Sequence, residues 1–87
     1  MTILLLVQFC RMSFTKEEVC KSLGKHIRNL RVQKGYTLEG LANDANLDYS
    51  QLSRIELGKI NTSVYQIYQI SVHLNIPMKE FFKEIHH

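Results

Sequence analysis

Thr37-Leu38-Glu39-Gly40-Leu41-Ala42-Asn43-Asp44-Ala45-Asn46-Leu47-Asp48-Tyr49-Ser50-Gln51-Leu52-Ser53-Arg54-Ile55-Glu56-Leu57-Gly58 is the stretch on which the fold turns. Thr37 and Asp48 are residue types that cap a helix by accepting a backbone N–H. Leu38 to Ala45 therefore reads as one short helix and Tyr49 to about Leu57 as another, stopped by Gly58. Asn46-Leu47 leaves room only for a tight turn, and asparagine tolerates the left-handed backbone of a sharp corner. Two helices crossing at roughly a right angle need an apolar stripe on each, a small residue at the crossing and an apolar plug at the corner. Leu41 and Ala45 form one stripe, Leu52 and Ile55 the other, with Ala42 at the crossing and Leu47 as the plug. Leu38 to Leu57 is predicted to be a helix-turn-helix.

Upstream, Thr15-Lys16-Glu17-Glu18 has the form of a capping box, with Thr15 and Glu18 satisfying each other's backbone amides. Val19, Leu23, Ile27 and Leu30 follow at helical spacing, and Gly35 supplies a stop, so a first helix is predicted from about Lys16 to Lys34. Downstream, Ser63 caps a helix from Val64 to Leu74 with Ile67, Ile70 and Leu74 inward and Asn75 as its stop. Pro77 suits the first position of a fifth helix carrying Phe81, Phe82 and Ile85. No stretch alternates cleanly enough to demand a sheet. The expected class is all-α: an N-terminal extension over 1–14, strand-like or a disordered arm, then a five-helix domain over 15–87 with the helix-turn-helix at helices two and three.

Thr37-Leu38-Glu39-Gly40-Leu41-Ala42 followed by Leu52-Ser53-Arg54-Ile55-Glu56-Leu57-Gly58-Lys59 resembles the Cro/repressor-type (XRE-like) helix-turn-helix family. The resemblance extends from about Leu23 to Phe82, including Leu74-Asn75-Ile76-Pro77 and Phe81-Phe82. It implies a lambda-repressor-like fold and a sequence-specific regulator of transcription that binds operators in double-stranded DNA as a homodimer. In such proteins the second helix of the motif enters the major groove by its N-terminus.

On that helix Leu52 and Ile55 belong to the core, which leaves Tyr49, Ser50, Ser53 and Arg54 to face base edges, with Gln51 nearby. Arginine can grip guanine at two points, a serine can meet either kind of base, and Tyr49 can pack on a thymine methyl or donate to a phosphate. Without the motif these would read as ordinary solvent-facing residues. Lys59, Asn61 and Thr62 occupy the loop where the family grips the DNA backbone, and the amides of Leu38 and Glu39 can hold a phosphate. Many members carry glutamine where Leu38 stands, and the side-chain contact made there does not carry over. Lys25, Arg28 and Lys34 can add to the field, although a basic helix face is more often simply a solvated one. Arg31 and Glu56 occupy positions that the family joins by an arginine–carboxylate fork, so Arg31 is expected to be structural first and a phosphate contact second.

Composition narrows the alternatives. The 87 residues allow one core, and a net charge of +3 leans mildly toward polyanions. Cys10 and Cys20 are too few for a disulfide framework or a zinc knuckle and read as reduced thiols. His26, His73, His86 and His87 form no HExxH pair, Glu17 and Glu18 lie on different helix faces, and no Gly-rich phosphate loop or nucleophile elbow occurs. No enzyme, metal, cofactor or small-molecule ligand is expected. Ile3-Leu4-Leu5-Leu6-Val7 is too short to span a bilayer and lacks the flanks of a signal peptide, so a cytoplasmic protein with no membrane partner is expected.

Two further readings stay open: a restriction-modification controller or antitoxin-type regulator, and a protein-interaction module using the same fold. For a dimer, the fifth helix with Ile76, Met78, Phe81 and Ile85 carries more apolar surface than its own core needs. The Ile3 to Phe9 stretch is the other candidate surface, unless translation begins at Met12.

Overall fold

A computed structural model describes residues 14–83. The Ile3–Phe9 stretch, Cys10, Ile85, His86 and His87 lie outside the described residues, and with them the readings made for the N-terminal extension. Four α-helices and one 3-10 helix follow in order: α1 (Lys16–Gln33), α2 (Leu38–Asp44), α3 (Tyr49–Glu56), α4 (Val64–Leu74) and η1 (Met78–Phe82). No strand occurs among the described residues.

Each α-helix begins on a side-chain cap. Thr15 accepts the Glu18 amide at 3.1 Å while the Glu18 carboxylate accepts the Thr15 amide at 2.8 Å. Thr37, Asp48 and Ser63 accept the amides of Gly40, Gln51 and Gln66 at 2.9, 3.3 and 3.1 Å. The ends are alike as well. Gly35, Asn46, Gly58 and Asn75 all take positive φ. The residue after each donates its amide five residues back: Tyr36 to Arg31, Leu47 to Ala42, Lys59 to Arg54 and Ile76 to Ser71, at 2.8 to 3.1 Å. This left-handed stop satisfies carbonyls that the helix leaves free and turns the next side chain back toward the core. Tyr36, Leu47 and Ile76 pack there accordingly.

The core is one cluster of Ile27, Leu41, Ala42, Ala45, Leu52, Ile55, Ile67, Ile70, Leu74 and Phe81. It draws on every element, and burial of each large side chain stabilises by roughly 1.5–3 kcal/mol. The stripes expected on α2 and α3 are both inside it.

Gly24 is a packing point that the helix pattern did not suggest. A Cβ built there would stand 2.3 Å from the Ile55 carbonyl oxygen and 2.6 Å from that of Glu56. α1 therefore lies directly against the last turn of α3, backbone to backbone. At Gly58 two demands coincide: φ is +74°, and a Cβ would fall 2.6 Å from the Lys21 Cα.

The fifth helix departs from expectation. Pro77 is extended at φ −60°, ψ 140°, so it precedes the element instead of opening it, and η1 is a 3-10 helix that ends before extended Lys83. It has no side-chain cap, and Phe81 is its single fully buried residue. Five residues with one anchor cannot offset the cost of nucleating an α-helix. The expected dimer role of Phe81 is corrected too: it is 0% exposed, sealed in its own core.

Candidate nucleic-acid interface

Leu52 and Ile55 sit at 0% and 2% exposure, and this anchoring decides which residues of α3 face outward. Tyr49, Ser50 and Arg54 are exposed, whereas Ser53 and Gln51 are half-buried. The helix thus presents a short polar face with an aromatic ring at its N-terminal end and a guanidinium one turn on.

The N-terminal end is tightly organised. Asp48 accepts a hydrogen bond from the Ser50 hydroxyl at the same oxygen that takes the Gln51 amide. The Ser50 hydrogen bond first, and the Gln51 amide second, hold the Asp48 carboxyl below its ordinary value; the charge of Arg54 adds a small push in the same direction. Ser50 consequently keeps its oxygen free to accept, while its proton is engaged.

Behind α3, Arg31 is buried and fully directed. Its Nε donates to Glu56 Oε2 at 2.7 Å and Nη2 to Oε1 at 3.0 Å, while Nη1 donates to the Tyr36 carbonyl at 2.8 Å. Two parallel bonds between planar partners restrict orientation as well as distance. The result ties the end of α3 to α1 and to the loop before α2.

Arg28, Arg31, Leu38, Ser53, Glu56 and Leu57 line one shallow groove of about 260 Å³. The fold thereby brings the N-terminus of α2, where Leu38 stands, beside the flank of α3 that carries Ser53. Leu38 itself is half-buried, packed against the core. Glu39, Lys59 and Asn61 are exposed, and Thr62 is half-buried with its hydroxyl hydrogen-bonded to Gln66 Oε1.

Two features of this surface went unread in the sequence. Leu57 is 55% exposed at the rim of the groove, and its spacing of four from Ser53 was the signal that could have placed it. The Asp48–Ser50 pair was legible as an Asp two residues before a Ser at a helix start, a spacing suited to local side-chain bonding.

Other clusters stay silent. His26 Nδ1 donates to the Ser22 carbonyl at 2.7 Å, which accounts for its orientation on α1. Cys20 is half-buried with a free thiol. Among the described residues, no three His, Cys, Asp or Glu side chains converge on a metal-sized site, and no helix is long and apolar enough to cross a membrane.

A family model described as helix-turn-helix matches residues 27–81. The chain is similar in structure to the restriction-modification controller protein C.AhdI from Aeromonas hydrophila, with 33% identity over 72% of this chain and 96% of that one, at a TM-score of 0.71. It is also similar to the clp gene regulator ClgR from Corynebacterium glutamicum, at 25% identity, 77% and 87% coverage and a TM-score of 0.73. The restriction-modification controller protein C.Esp1396I shares 28% identity over 85% of this chain and 92% of that one, at a TM-score of 0.70. Comparison with curated protein sequences gives no match.

Proposed function

Since the chain belongs to the helix-turn-helix family, we propose that it is a sequence-specific regulator of transcription that binds double-stranded DNA with α3 in the major groove. The observation that carries this reading is the setting of α3. Its inner face is locked by Leu52 and Ile55, its end is held by the Arg31–Glu56 fork, and Tyr49, Ser50 and Arg54 are left exposed. A reading helix must be held rigidly while its outer face stays free, and these contacts do both.

In the proposed complex Tyr49, Ser50, Ser53 and Arg54 meet base edges. The loop residues Lys59, Asn61 and Thr62, with the Leu38 and Glu39 amides, meet phosphates. Two copies read two half-sites of a palindromic operator, about one helical turn apart. The site of action on this reading is the cytoplasm.

A narrower role as a restriction-modification controller is favoured by one observation: two proteins so named are matched over nearly their whole length. Selection of bound sequences from a randomised DNA pool tests the main reading. Enrichment of an inverted repeat with half-sites about ten base pairs apart is expected; a folded protein that enriches nothing would overturn it. The controller role further requires that the selected operator lie beside a restriction endonuclease gene.

A further inference from the structure

Asp48 and Ser50 are both exposed at the head of α3, the part of the helix that the DNA-binding reading sends into the major groove first. Their side chains are joined. The Ser50 hydroxyl donates to Asp48 Oδ2, and the Gln51 amide donates to the same oxygen at 3.3 Å. A serine hydroxyl has one proton and two lone pairs, so once the proton is given to Asp48 the oxygen can only accept. An ionised carboxylate can only accept as well. The Asp48 carboxyl is ionised throughout the neutral range, because the Ser50 hydroxyl and the Gln51 amide hold it below its ordinary value. The two side chains together form a patch without a free donor. Arg54, exposed on the same helix, is the reverse: its guanidinium has donors only.

We propose that the Asp48–Ser50 pair makes Ser50 a reader of amino bases, so that one position of each half-site carries adenine or cytosine on the contacted strand and refuses guanine and thymine. The inference rests on the DNA-binding reading and adds to it the class of base that one side chain selects.

The argument is one of matching donors to acceptors. In the major groove adenine N6 and cytosine N4 are donors, whereas guanine shows O6 and N7 and thymine shows O4, all acceptors. An acceptor-only oxygen meets a proton on the first two bases. On the other two it faces a lone pair, and both acceptors lose water without gaining a partner. A serine free to turn its hydroxyl would not discriminate in this way. Here turning breaks a bond to a carboxylate, which is roughly twice as strong as one between neutral groups. A neutral keto oxygen on guanine or thymine cannot draw the proton away. The Asp48 charge acts in the same sense, since it attracts amino hydrogens and repels keto oxygens and phosphates. Arg54 follows Ser50 by four residues, about 6 Å along the axis, and its donors suit guanine. One face of α3 therefore makes opposite demands at two positions.

The test is selection from a randomised duplex pool by the wild type, Ser50→Ala and Asp48→Asn, with helicity followed by circular dichroism. The wild type is expected to enrich a half-site with one position shared by adenine and cytosine. Ser50→Ala should lose the preference at that position and keep the others. Asparagine caps a helix as well as aspartate, but its neutral carbonyl holds the serine proton no more strongly than a keto oxygen does. Asp48→Asn should therefore keep its helicity and accept all four bases there. Placing guanine or thymine at this position should weaken wild-type binding about 10-fold and leave Ser50→Ala binding unchanged. A synthetic duplex with purine in place of adenine, or 2-pyrimidinone in place of cytosine, lacks the amino group and should show the same contrast. Guanine or thymine enriched at the position that Ser50→Ala relaxes would overturn the proposal. So would a preference that survives Asp48→Asn, or a half-site indifferent to Ser50; each of these leaves the DNA-binding reading standing. No enrichment by any folded form removes that reading and this inference with it.

Discussion

Arg31 and Tyr36 hold each other twice, the Arg31 carbonyl accepting the Tyr36 amide at 3.1 Å and the Tyr36 carbonyl accepting Arg31 Nη1 at 2.8 Å. The same guanidinium then spends its other edge on Glu56, so one side chain joins the α1 stop, the loop before α2 and the end of α3. Both members of the ion pair are nearly buried, with side-chain exposures of 11% and 6%. Removing the carboxylate strands a charge that has little access to water. Glu56→Ala is expected to destabilise by about 3 kcal/mol, whereas the paired change Arg31→Met with Glu56→Leu should cost less than either truncation alone. Urea unfolding followed by circular dichroism measures both; equal losses for single and double variants would contradict the pairing argument.

Gly24→Ala should be destabilising although alanine is the better helix former by about 1 kcal/mol. Its methyl would meet backbone carbonyl oxygens of Ile55 and Glu56, which cannot rotate aside as a side chain can. A net loss of about 2 kcal/mol is expected as α1 is pushed off α3. Gly40→Ala meets Thr37 Oγ1 at 3.1 Å and should cost much less. Thermal unfolding of the two variants gives the order, and a Gly24→Ala protein as stable as the wild type would refute the close approach.

Phe81 and Phe82 are neighbours with opposite fates, 0% and 43% exposed. Phe81→Ala should cost about 3–5 kcal/mol and leave the domain largely unfolded at physiological temperature. Phe82→Ala should stay within roughly 1 kcal/mol of the wild type. Chemical denaturation checks the contrast.

Acid should weaken the start of α3 late. The Asp48 carboxyl titrates below its ordinary value of about 3.8, chiefly through the Ser50 hydroxyl and then the Gln51 amide. A group depressed in the folded state contributes stability that is fully present above the unfolded value and is lost as pH falls through the folded one. The stability gap between wild type and Asp48→Asn should thus be constant near neutrality and close only below about pH 4. Unfolding curves across that range are the measurement; a gap that closes already near pH 6 would point to another group.

Base readers and phosphate readers should separate by their signatures. Arg54→Ala is expected to cost about 1–3 kcal/mol at one base position and to relax preference there. Lys59→Ala should weaken binding to all sequences alike and lower the salt-dependence slope by about one. Binding isotherms at several salt concentrations on matched and mismatched operators distinguish them. Identical profiles for the two variants would remove the assignment of Arg54 to base reading.

What the sequence determined by itself was local. The caps Thr15, Thr37, Asp48 and Ser63 and the stops Gly35, Asn46, Gly58 and Asn75 act on amides and carbonyls three to five residues away, so residue type and spacing are enough to read them. The apolar stripes of α2 and α3 were legible for the same reason, and with them the outward face of α3. The tertiary structure decided what depends on groups far apart along the chain. It set Gly24 against the end of α3, gave Arg31 its Tyr36 carbonyl besides Glu56, and placed Leu57 at a groove rim beside Arg28. It also shortened the fifth helix to a 3-10 turn that buries Phe81 and leaves Tyr65 and Tyr68 outside. A hydrogen-bonded cap is chosen among a handful of neighbours. Burial is chosen by every element at once, since a side chain is inside only when other helices arrive to cover it.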